Sequence, residues 1–277
     1  MLSGSVHEMD AAVHYLASRQ TALRVCRLPA SGRFGKPLAL FLCDCFGDLD
    51  HDGGRVASLT SLFDLILCEL PGHGETGRVA DVSLQGFAQT YASLIDCHVP
   101  DGRDLTVIGD SLGGLIGLWL VRLRPGRVAR LVLLDPPFRL TPRRLGMHLS
   151  DAWRRTGNAY QGRILAEIYG IDPGSGQPFR QTRLHDLVAD LTQDCILIAG
   201  NGDRAPDSRL PSLVSGDDLA RLRAANPSLR IAPRVGDAGH GLLQENAAAC
   251  VAALASMLQA EPFPWGAGAK AAALQLA

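Results

Sequence analysis

The chain has 277 residues, 47% of them apolar and 20% charged, as in a globular protein long enough to bury a core of its own. Its 27 basic residues are balanced by 28 acidic ones, which argues against general attraction to nucleic acid or an anionic membrane. No apolar run approaches the roughly 18–20 residues of a membrane span, and MLSGSVHEMD lacks the features of a secretory signal, so a cytoplasmic location is expected.

Short apolar runs alternate with segments of helical length. Strands are predicted over residues 22–28, 38–43, 63–70, 105–108, 131–134, 195–199 and 229–235. Helices are predicted between them, over 55–63, 84–97, 112–123, 213–225 and 244–260. Several strands are continuously apolar rather than alternating, as strands buried on both faces of a parallel sheet are. The expected fold is therefore α/β, with a mostly parallel central sheet flanked by helices. Between residues 135 and 195 no strand is evident, while Trp153, Ile164, Leu165, Ile168 and Leu184 recur at helical spacings. This predicts one domain with an insertion: core 1–135, helical cap 136–194 and core 195–277. Most of the seven cysteines (Cys26, Cys43, Cys45, Cys68 and Cys195) lie in strand-like runs and read as buried, reduced thiols.

The chemistry-bearing motif is Gly109-Asp110-Ser111-Leu112-Gly113, preceded by the apolar run from Leu105 and followed by a helix. A strand-to-helix turn this tight strains the serine backbone, and glycines two residues to either side remove the Cβ atoms that would clash. Ser111 is then presented at the end of the sheet as a nucleophile. The Leu112 N–H, at the helix start, faces a developing oxyanion. A serine hydroxyl needs a base. Of eight histidines, His240 alone follows a late strand and sits among small residues, in Asp237-Ala-Gly239-His240-Gly241.

With these residues the chain resembles the α/β-hydrolase family along nearly its whole length. Glu69-Leu-Pro71-Gly72-His73-Gly74-Glu75-Thr76 is similar to the family's D-x-P-G-x-G-x-S turn, with Glu for Asp and Thr for Ser. The run ending at Asp135 resembles the family's sixth strand. The run leading to Gly200-Asn-Gly202-Asp203 resembles its seventh strand and acid-bearing turn. The resemblance implies a triad in the order Ser111, Asp203, His240, with Asp135 the rival acid because some relatives place it there. It also implies a second oxyanion donor after the third strand. The family's usual His-Gly is replaced there by Asp44-Cys45, which leaves the Phe46 N–H as donor. A carboxylate near an oxyanion is unhelpful, so Asp44 is expected to point away or to be hydrogen-bonded.

Other patterns carry less. Asp48-Leu-Asp50-His-Asp52-Gly53 opens like a calcium loop but has Leu59 where a bidentate Glu belongs, so it reads as a solvated acidic loop. Gly200-Asn-Gly202 lacks the context of a dinucleotide fingerprint, and Cys43-x-Cys45 has no second ligand pair for zinc. The expectation is a serine hydrolase without cofactor or metal, cleaving a small-molecule ester or thioester through an acyl-enzyme. Acyltransferase, lactonase, amidase or carbon–carbon hydrolase activity on the same residues, or a non-catalytic binding protein, are the alternatives. From Arg139 to Arg183 eight arginines face only Asp151, Glu167 and Asp172. An anionic or carrier-bound acyl group is therefore one expectation, against a solvated face in an arginine-rich sequence.

Overall fold

The computed structural model describes residues 12–31, 35–102, 104–139, 143–201 and 210–260. Eight strands form one sheet in the order β1-β2-β4-β3-β5-β6-β7-β8. They are β1 Ala12–Ala17, β2 Ala22–Leu28, β3 Leu38–Leu42, β4 Asp64–Cys68, β5 Leu105–Asp110, β6 Arg130–Leu134, β7 Asp194–Ile198 and β8 Arg230–Ile231. Strands β1, β2 and β4 pair antiparallel, and every pairing from β4 to β8 is parallel. Every residue of β3, β5 and β6 is buried, which explains why their sequences are mostly apolar with no regular alternation.

The helices are α1 Leu49–Val56, α2 Leu84–His98, α3 Leu112–Leu123, α4 Arg143–Thr156, α5 Ala159–Ile164, α6 Gly216–Ala225 and α7 Leu242–Gln259. Along β3 the pleat sends Leu38, Leu40 and Leu42 to one core cluster, shared with α2 and α3. It sends Ala39 and Phe41 to a second cluster on the opposite face, shared with α1 and α7. The sheet order turns back at β4-β3-β5, so β3 and β5 lead away from a topological switch point, where open α/β sheets hold their ligands.

Four local features differ from those expected. The strand β1 was not anticipated: its six residues, AVHYLA, are a short run interrupted by His14, and it serves as an edge, with Tyr15 exposed. The helix expected over 55–63 is instead α1, followed by a 3-10 turn at Ala57–Ser61. Asp48 is the N-cap of α1, accepting from the His51 N–H, so the acidic stretch is a first helical turn rather than a solvated loop. The strand expected over 229–235 is reduced to the two residues of β8 and an isolated bridge between Gly200 and Val235.

Between β6 and β7 lie α4, α5, a π-helical turn Leu165–Tyr169 and a 3-10 turn His185–Val188. The Asn158 side chain caps α5 through the Tyr160 and Gln161 amides, and the Gln161 side chain returns a bond to the Asn158 amide. Tyr160 lies flat over Gly72, where a Cβ would come within 2.2 Å of its ring. Its hydroxyl bonds the backbone of Val79. This inserted segment is thereby fastened to the turn after β4. Among the described residues no helix is long and apolar enough to cross a membrane.

Candidate active site

Ser111 follows β5 directly and precedes α3, with φ 51° and ψ −113°, a conformation only glycine adopts without strain. Its amide donates to Leu134 O at 2.9 Å, which anchors the turn to the neighbouring strand. The two flanking glycines are required by contact. A Cβ on Gly109 would lie 2.4 Å from Gly113 O, and one on Gly113 would lie 2.2 Å from Leu42 O. The second contact also shows how closely the start of α3 approaches the end of β3. The Leu112 N–H is in the first turn of α3, where a helix has no carbonyl of its own to bond.

His240, in the turn before α7, brings Nε2 to 3.0 Å from Ser111 Oγ. Its Nδ1 lies 2.8 Å from Asp135 Oδ2. Asp135 is the residue after β6, wholly buried and held at φ 44°. Its carboxylate also accepts from the Leu213 amide at 2.8 Å and from the Ser212 hydroxyl. Burial lowers the affinity of His240 for a proton, but the Asp135 bond and charge, with Asp110 and Asp44, outweigh this and raise it above the ordinary 6.5. A carboxylate on Nδ1 fixes the tautomer that leaves Nε2 free to accept the serine proton.

Beyond β3 the chain turns at Phe46, with φ 70°. Asp44 is hydrogen-bonded, as its sequence setting requires, with Oδ1 accepting from Arg55 Nη2 at 3.1 Å. Tyr169, the last residue of the π-helical turn, is fully buried, and burial, with the neighbouring Cys45 and Asp44, pushes its pKa well above the ordinary 10. A cavity of about 300 Å³ opens beside His240, lined among others by Asp44, Arg55, Asp110, His148 and Glu245. Among the described residues no three His, Cys, Asp or Glu side chains gather as a metal site requires.

Ser111 and His240 come together as the sequence suggests, while Asp203 lies outside the described residues. The carboxylate that the structure places on His240 is the rival, Asp135. His73 does not join them: its Nδ1 faces Pro71 O, and burial pushes its pKa down to about 4. Neither Arg55 nor Tyr169 was singled out from the sequence, and His185 is buried on Asp218 at 2.8 Å. Four of the eight arginines of this segment have partners among the described residues. Arg139 meets Asp218, Arg154 meets Asp151, Arg163 meets Glu167, and Arg180 bonds the Glu167 and Ile168 carbonyls.

Comparison with known proteins agrees with this architecture. Residues 44–253 match the model of the alpha/beta hydrolase family. The chain is 30% identical over 223 residues to a pimeloyl-(acyl-carrier protein) methyl ester esterase of Methylococcus capsulatus, an alignment covering 68% of this chain and 84% of that protein. A shorter stretch of 68 residues is 38% identical to lipase LipV of Mycobacterium tuberculosis, covering 24% of this chain and 25% of the lipase. The crystal structure of carboxylesterase CesB of Bacillus subtilis superposes with a TM-score of 0.63 at 16% identity, over 91% of this chain and 93% of that one. On the family match and the extent of the first alignment, the chain belongs to the α/β-hydrolase family.

Proposed function

We propose that this protein is a serine esterase working through an acyl-enzyme, with Ser111 as nucleophile, His240 as base and Asp135 as the acid that orients it. The observation that carries the reading is the unbroken chain of contacts from Ser111 Oγ through both nitrogens of His240 to Asp135. In this reading Ser111 Oγ attacks the ester carbonyl carbon as its proton passes to His240 Nε2. The carbonyl electron pair moves onto oxygen, which the Leu112 and Phe46 amides stabilise. The carbonyl re-forms, the C–O bond to the alcohol breaks, and the alcohol leaves with the proton from His240. Water then repeats the sequence on the acyl-enzyme and frees the acid. Asp135 orients His240 and stabilises the imidazolium that forms.

The segment 136–194 serves as the cap, since Tyr160 fastens it to the turn after β4. A carrier-linked acyl ester is the second reading. It is favoured by the Methylococcus relative, named for that substrate, and by Arg155, which is exposed on α4. The first test is the time course of a short-chain p-nitrophenyl ester. A burst of one nitrophenolate per enzyme followed by steady turnover supports acyl-enzyme hydrolysis, whereas no release above the solvent rate refutes it. A carrier-bound ester turned over no faster than the free ester at low salt would remove the second reading.

A further inference from the structure

The oxyanion loop lacks the usual His-Gly, and in its place the structure shows an ionic clamp. Arg55, in the last turn of α1, is only 8% exposed and reaches three carboxylates. Its Nη1 is 3.1 Å from Asp110 Oδ2, its Nη2 is 3.1 Å from Asp44 Oδ1, and its Nε is 2.8 Å from Asp52 Oδ1. Asp110 is the residue immediately before Ser111, and Asp44 lies two residues before Phe46. One guanidinium therefore holds the nucleophile turn with one nitrogen and the loop of the second oxyanion donor with another.

We infer that Arg55 is a positioning residue, whose bridge between Asp44 and Asp110 sets the spacing of the Phe46 and Leu112 amides around the oxyanion. The inference rests on the reading of Ser111 as nucleophile. Three features support it. The planar fork of arginine bonds two acceptors at once in fixed directions, which a lysine cannot do. The loop closes on the cluster with no room to spare, since a Cβ on Gly47 would meet Asp52 Oδ2 at 2.3 Å and Asp44 Oδ1 at 2.4 Å. Finally, three carboxylates share one cation, and a buried excess of negative charge is costly to folding. Burial pushes Asp110 and Asp52 up to about 7 and about 6 in spite of Arg55. A cluster kept for stability alone would carry fewer acids.

That imbalance gives a test that separates positioning from support. Asp44 is 28% exposed, so Asp44→Ala removes one carboxylate and the tether without opening the core. The melting temperature should hold or rise, because the remaining charges are better matched. The kcat on a p-nitrophenyl ester should fall about 10–100-fold with KM within about threefold, since a displaced oxyanion donor acts on the transition state. The affinity for an alkylboronic acid, which forms a tetrahedral adduct on the serine, should fall in parallel. Arg55→Lys should show the same kcat-weighted loss, because it keeps the charge without the fork. Unchanged kcat and boronate affinity in Asp44→Ala would overturn the inference, as would a loss confined to KM. Fluorophosphonate titration of the wild type keeps the two levels apart. An unlabelled wild type refutes the reading of Ser111, while a labelled wild type with fully active Asp44→Ala refutes only the clamp.

Discussion

His240 and Asp135, 105 residues apart in sequence, meet at 2.8 Å because β6 and the turn before α7 end at the same edge of the sheet. Asp135 thus follows the strand adjacent to β5, and its carboxylate has further support from the Leu213 amide and the Ser212 hydroxyl. This arrangement makes Asp135→Asn the informative substitution. It keeps the shape but presents the wrong hydrogen-bonding character to Nδ1, and should lower kcat by about 10³–10⁴-fold. Asp203→Asn should change kcat by less than about tenfold by comparison. Steady-state kinetics of the two variants decide the matter, and the opposite ranking would return the role to Asp203.

The pH dependence follows from the charges around His240. Its proton affinity is raised above the ordinary 6.5, and only the neutral imidazole can act as base. The acidic limb of kcat/KM should therefore lie above pH 6.5 in the wild type. In Asp135→Asn the largest raising influence is gone, so the residual activity should show its limb at lower pH. A profile of kcat/KM from acid to alkaline pH checks both positions.

Asp110 offers a stability measurement independent of catalysis. Burial, only partly opposed by Arg55, raises its pKa from 3.8 to about 7. The folded state therefore holds this proton more tightly than the unfolded chain. The resulting folding cost is absent below 3.8, grows as pH rises, and is complete above about 7. Asp110→Asn cannot ionise, so its melting temperature relative to wild type should be more favourable at pH 8 than at pH 5. Thermal melts at the two pH values test this, and equal differences would contradict it.

Gly113 tests the packing beneath the nucleophile. A Cβ there would strike the Leu42 and Cys43 carbonyl oxygens at 2.2 and 2.8 Å, backbone atoms that cannot swing aside. Gly113→Ala should destabilise the protein by about 1–3 kcal/mol, the usual range for overpacking a tight contact. Gly126→Ala, where a Cβ meets nothing within 4 Å, is the control and should be close to neutral in a denaturant titration.

The parts legible in the sequence were those fixed by local physics. The mostly apolar, non-alternating runs of β3, β5 and β6 gave away a buried parallel sheet, and the glycines around Ser111 gave away the turn. The choice between Asp135 and Asp203 was not local. Both residues end apolar runs, and the contact of His240 with Asp135 joins segments 105 residues apart in the chain. Arg55 was hidden for a related reason: its three partners come from α1, the loop after β3 and the end of β5, and no spacing along the chain unites them.

The central claim is that Ser111 is an activated nucleophile, and covalent labelling tests it most directly. The protein is treated with a fluorophosphonate, digested, and the modified peptide is located by mass spectrometry. The account predicts one phosphonyl group per chain, carried on Ser111, at a rate that falls steeply in His240→Ala, and no labelling of Ser111→Ala. An unmodified Ser111 in folded wild-type protein, or equal labelling of Ser111→Ala, would contradict it.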